Sequence, residues 1–77
     1  MMLKNGLNLI RNYSINFDVL ERDIKDINFI IIHYTGMKNE TAAIKRLLNS
    51  KSKVSSHYFI KKNGDILNLV PDNYIAW

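Results

Sequence analysis

Phe29-Ile30-Ile31-Ile32 runs without a polar break into His33-Tyr34-Thr35-Gly36. An uninterrupted β-branched run of this kind predicts a strand buried on both faces, spanning roughly Ile27 to Tyr34. Gly36 then lets the chain turn as it leaves the sheet. The pattern therefore places an imidazole at the end of a central strand, where open sheets build their sites. Downstream, Ala43, Ile44, Leu47 and Leu48 recur at helical spacing, with Lys45 and Arg46 on the opposite side. Asn39 is a fitting N-cap, and Glu40 sets negative charge at the positive end of the helix dipole. A short amphipathic helix over 40–49, covering one sheet face, is predicted.

The next apolar pattern has period two. Val54 to Lys62 meets Asp65 to Val70 across Asn63-Gly64, the strongest short-range hairpin signal. A two-residue loop there pairs Lys62 with Asp65, Ile60 with Leu67 and Tyr58 with Leu69. The other face then pairs Lys61 with Ile66, Phe59 with Asn68 and His57 with Val70. Pro71-Asp72-Asn73 ends the second strand in a turn, and the chain closes on Tyr74-Ile75-Ala76-Trp77. Upstream, residues 1–12 read as a loosely ordered arm and 12–18 as an irregular segment packed on the domain. Asp18 to Asp26 fits either a short helix or an exposed loop. The fold class is α/β, with one domain over 13–77.

Length and composition narrow the means of stabilising this domain. At 77 residues the chain is near the lower limit for a self-sufficient core. It has no cysteine, which excludes disulfides and thiolate zinc clusters and fits a reducing compartment. The formal charge of +4 concentrates in Lys38, Lys45, Arg46, Lys51 and Lys53, whereas 15–27 is acidic on balance. A basic cluster on one helix and the following loop reads as a solvated face before it reads as an anion-binding patch. The N-terminal stretch lacks the apolar core and cleavage site of a signal peptide, and no window is long enough to span a membrane. A soluble, cytoplasmic chain without nucleic-acid or membrane partners is expected.

The two histidines, His33 and His57, are the side chains suited to chemistry near neutral pH. A catalytic zinc takes three protein ligands, so two histidines and one carboxylate would meet the count. The carboxylates on offer are Asp65 at the hairpin tip and Asp72 after Pro71, and Asp65 lies far along the strand from His57. From the residues alone, a hydrogen-bonded structural role is the stronger reading of each histidine. No glycine-rich phosphate loop follows the strand, and Ser55 and Ser56 are sequence neighbours of His57 rather than facing partners. Tyr58, Phe59, Lys61 and Lys62 suit base stacking with phosphate contacts, or simply a hairpin with core aromatics.

Taken together, Ile31-Ile-His-Tyr-Thr-Gly-Met37, Val54-Ser-Ser-His-Tyr-Phe-Ile60, Asn63-Gly64, Leu69-Val70-Pro71 and Ala76-Trp77 resemble the zinc-dependent N-acetylmuramoyl-L-alanine amidases of the amidase-2 family. The resemblance covers about residues 13–77 and implies a partial mixed-sheet fold of that family, with a central strand, one helix and a β-hairpin. It implies that His33 is the first zinc ligand and that Tyr34, His57 and Trp77 contact or shape the substrate site. It implies hydrolysis of the amide between N-acetylmuramic acid and L-alanine in muropeptides, with zinc polarising the carbonyl and activating water. In the family the remaining ligands and the catalytic Glu lie downstream of the last motif found here. The expectation is therefore an N-terminal portion, without catalytic residues of its own and without stable zinc. Such a portion is either truncated or split, and in the split case a separate chain supplies the C-terminal half. The alternative is a non-catalytic module that binds muropeptides.

Overall fold

The computed structural model describes residues 1–4, 6–36 and 39–77. Asn39 opens the helix α1 (Glu40–Leu48), its side chain accepting from the Ala42 N–H at 3.2 Å as the N-cap pattern predicts. Asn49 ends it, and a 3-10 turn over Ser50–Ser52 follows. Ala43 is buried, with Ile44, Leu47 and Leu48 half-buried beside it, so the predicted apolar stripe faces inward. Of the basic cluster, Lys45, Arg46, Lys51 and Lys53 are exposed, and Lys38 lies outside the described residues.

Three short strands form a mixed sheet in the order β1-β3-β2: β1 (Leu9–Arg11), β2 (Tyr58–Ile60) and β3 (Ile66–Asn68). Strand β1 runs parallel to β3, and β2 runs antiparallel to it. The architecture is mixed α/β. The segment read as a loose arm thus supplies an edge strand, pairing Leu9 with Ile66 and Arg11 with Asn68.

The hairpin forms, but one residue out of the predicted register. Ile60 faces Ile66, Phe59 faces Leu67 and Tyr58 faces Asn68. The turn explains the slip. Gly64 N–H donates to the Lys61 carbonyl at 2.9 Å and Lys61 N–H to the Asp65 carbonyl at 2.8 Å, which closes a three-residue loop. Gly64 has φ +92°, while Asn63 is not among the residues with positive φ. A type I′ turn requires positive φ at both positions, so the chain takes a turn with a glycine bulge instead. Because side chains alternate across a strand, the slip moves Phe59 onto the face of buried Leu67 and Tyr58 beside Asn68.

The largest departure from the sequence pattern is 27–34, which forms no strand. Phe29, Ile30, Ile31 and Ile32 are 83, 91, 75 and 91 % exposed. β-Propensity describes how a side chain suits a pleated, half-buried surface, and here no neighbouring strand provides one. The middle of the sheet belongs to β3, flanked on both sides. Leu67 is nearly buried, and Leu69 and Val70 just beyond β3 are fully so.

Segment 14–18 fastens the remaining pieces together. Ser14 Oγ donates to the Leu47 carbonyl at 2.6 Å, at the end of α1. The Asn16 amide donates to the Asn49 and Val54 carbonyls, each at 2.9 Å, and lies 3.4 Å from that of Leu47. Phe17 bridges to Ala76 and stacks edge-on against Tyr74, with ring centres 5.0 Å apart. At its other end, α1 meets the hairpin tip, where Glu40 Oε1 accepts from the Lys62 N–H at 2.6 Å. Among the described residues, no helix is long and apolar enough to cross a membrane.

Candidate functional site

An open cavity of about 1960 Å3 is lined by residues 29–35, by the inner side of α1 and by β2, so the helix does not close over the sheet as predicted. His33, Tyr34, His57 and Trp77 all contribute to its walls. The four residues singled out by sequence therefore share one hollow, although His33 and Tyr34 reach it from an exposed segment. Met37, the last residue of the first motif, lies outside the described residues.

His57 is the best anchored of the four. Its backbone carbonyl accepts from the Leu69 N–H at 2.8 Å and from the Asn68 side-chain amide at 3.0 Å. On the ring, Nε2 lies 3.1 Å from Arg22 Nη2 and 2.8 Å from the Tyr74 carbonyl. One nitrogen cannot accept from the first and donate to the second at once, so the tautomer chooses between them. Trp77 donates its indole N–H to Asp18 Oδ1 at 2.7 Å, and the residue as a whole is 48 % exposed. Its backbone N–H donates to the Asn16 carbonyl at 3.2 Å, and its carbonyl accepts from the Ser55 N–H.

Arg22, which the sequence did not mark, and Tyr58 complete the wall. Arg22 donates from Nε to the Asp72 carbonyl at 2.9 Å, and Tyr58 donates its hydroxyl to Asp72 Oδ1 at 2.7 Å. In sequence Arg22 registers only as a cation within an acidic stretch. Its partners lie 35 and 50 positions away, and no local spacing exposes them.

Burial pushes the Tyr58 phenol up to about 12, assisted by its bond to Asp72, by that carboxylate's charge and by Tyr13. A raised acid pKa means that the fold favours the neutral phenol. The resulting stability is complete below the ordinary value of 10.0 and is lost as pH climbs toward about 12. Asp72→Asn removes the carboxylate's charge and leaves at most a hydrogen bond to a neutral amide oxygen. The expected result in an ultraviolet tyrosine titration is a lower Tyr58 midpoint and a weaker loss of stability across that window. An unchanged midpoint would show that the carboxylate does not act on the phenol.

A zinc site requires converging donors, and these residues do not provide them. Among the described residues, no group of three or more His, Cys, Asp and Glu side chains is placed to hold a metal ion. The carboxylates considered from sequence are engaged elsewhere: Asp65 accepts from the Asn8 N–H and the Asn63 amide, and Asp72 from Tyr58. The donor set fits no zinc centre, and no chemical step is assigned to one.

Compared with known proteins, residues 23–77 match the family model described as N-acetylmuramoyl-L-alanine amidase. The match covers the greater part of the chain and includes His33, Tyr34, His57 and Trp77. Residues 13–22, which the resemblance in sequence took in, lie outside it. No curated protein and no solved structure matches the chain.

Proposed function

Because this chain belongs to the N-acetylmuramoyl-L-alanine amidase family, we propose that its ligands are muropeptides and that it serves cleavage of the amide between N-acetylmuramic acid and L-alanine. His33 is the family's metal-ligand position, and Tyr34, His57 and Trp77 are its substrate contacts. The observation that carries this reading is their common cavity, formed from segments far apart in sequence. With two histidines and no cysteine, the chain brings one family ligand, His33, and the others must come from polypeptide beyond the motifs found here. On this reading the chain alone holds zinc weakly and hydrolyses nothing, and a complementing segment restores both. The lack of cysteine accords with a cytoplasmic setting.

A non-catalytic, muropeptide-binding role is the second reading. It is favoured by Tyr34, 93 % exposed, and Trp77, half exposed, two aromatic residues that line the cavity. Both readings are tested by giving the purified chain an anhydromuropeptide while metal content, binding and peptide release are measured. The expected outcome is no stoichiometric zinc, no release, and saturable binding that weakens on Tyr34→Ala or Trp77→Ala. Turnover with tightly held zinc would refute the dependence on further ligands. Failure to bind would refute the substrate assignment for this chain alone.

A further inference from the structure

Arg22 stands half-buried in the cavity wall, with its backbone N–H donating to the Asn73 carbonyl at 2.8 Å. Its side-chain contacts run from Nε to the Asp72 carbonyl and, in the tautomer that leaves His57 Nε2 unprotonated, from Nη2 to that nitrogen. Neither partner is an anion. The first is a carbonyl, and an Nε2 that accepts from Arg22 must carry a lone pair.

Among the described residues, three acids each hold another donor on one oxygen. Glu21 Oε1 accepts from the Asn73 amide at 2.7 Å, Asp18 Oδ1 from the Trp77 indole at 2.7 Å and Asp72 Oδ1 from Tyr58 at 2.7 Å. Arginine stays charged at any physiological pH, so this guanidinium lacks a counter-charge from the bonds that hold it. Those bonds engage Nε and Nη2 and leave the Nη1 hydrogens to donate. A carboxylate supplies the charge-assisted acceptor that these hydrogens and this charge lack.

We infer that Arg22 is the carboxylate-binding element of this cavity and that it takes a peptide bearing a free carboxylate. The peptide nature rests on the proposed substrate class, while the charge requirement rests on Arg22 itself. Anchoring by the 72–73 turn and by His57 reduces the freedom lost on binding. Asp72 and Glu40, the acids that also line the cavity, oppose an incoming anion and limit its affinity.

The test uses the whole chain and two capped dipeptides, acetyl-alanyl-glutamate amide and acetyl-alanyl-glutamine amide, which differ only in carboxylate against carboxamide. The acidic peptide is expected to bind about tenfold tighter or more. Arg22→Gln abolishes that preference, and Arg22→Lys restores it only in part because the fork is lost. Asp72→Asn leaves Arg22 in place and strengthens binding of the acidic peptide. Equal affinity for the two peptides, or a preference that survives in folded Arg22→Gln, overturns the inference. Acetate saturating the site at the same concentration overturns the peptide class. Binding of a muropeptide without preference for the acidic dipeptide refutes Arg22's role and leaves the substrate class standing. The converse result, Arg22-dependent binding of the acidic dipeptide with no muropeptide binding, does the opposite.

Discussion

Replacing Asn16 with alanine is expected to cost about 2–4 kcal/mol of stability, read as a shift of the denaturant midpoint at constant slope. The side chain is 1 % exposed and donates to carbonyls at the end of α1 and in the loop after it. Helix ends leave carbonyls unpaired, and here one buried amide takes over that task from water. Removing it strands the Val54 carbonyl, whereas that of Asn49 keeps the Ser52 N–H and hydroxyl. The estimate stops short of a larger figure because Asn16 Oδ1 is itself buried without a partner, a cost that alanine removes. Asn16→Asp is the sharper variant. It keeps the shape but turns the donor into a charged acceptor facing two carbonyl oxygens, and its loss should exceed that of alanine. A near-neutral Asn16→Asp would mean that the amide does not face those carbonyls.

Asn16 also marks where local reading of the sequence stops. The helix was legible because its signals are local: a cap, a charge at the dipole and a stripe of period 3.6. The presence of the hairpin was legible from Asn63-Gly64. Its register was not, because the same dipeptide fits a two-residue turn or a bulged one, and Asn63 decides by keeping φ negative. The sheet partners of β3 were illegible for a different reason. Leu9 to Arg11 carry no period-two pattern, yet they pair with residues 66–68 over most of the chain length. Of the candidate site, His33, Tyr34, His57 and Trp77 were legible as motif positions, and the structure gathers them at one cavity. Arg22 was not, since its role arises from contacts with residues 57 and 72.

The second large effect concerns where the core lies. Leu69 is fully buried beyond the central strand of the sheet, and its N–H is bonded to the His57 carbonyl. Leu69→Ala is expected to cost about 2–5 kcal/mol, from lost transfer energy and the cavity left behind. In a chain this short that is most or all of the folding free energy, so the variant should be largely unfolded by far-ultraviolet circular dichroism. Ile31→Ala, in the most hydrophobic run of the sequence, should change stability by no more than about 0.5 kcal/mol, because that side chain is 75 % exposed. The pair separates two locations for the core. Sequence pattern places it at 29–32, as a strand covered on both faces, whereas the structure places it at Leu67, Leu69 and Val70. An Ile31→Ala loss equal to that of Leu69→Ala would show the run packed in solution, with His33 held by a strand rather than presented on an exposed segment. A large loss at Leu69 alone keeps His33 on that exposed segment, outside the packed core.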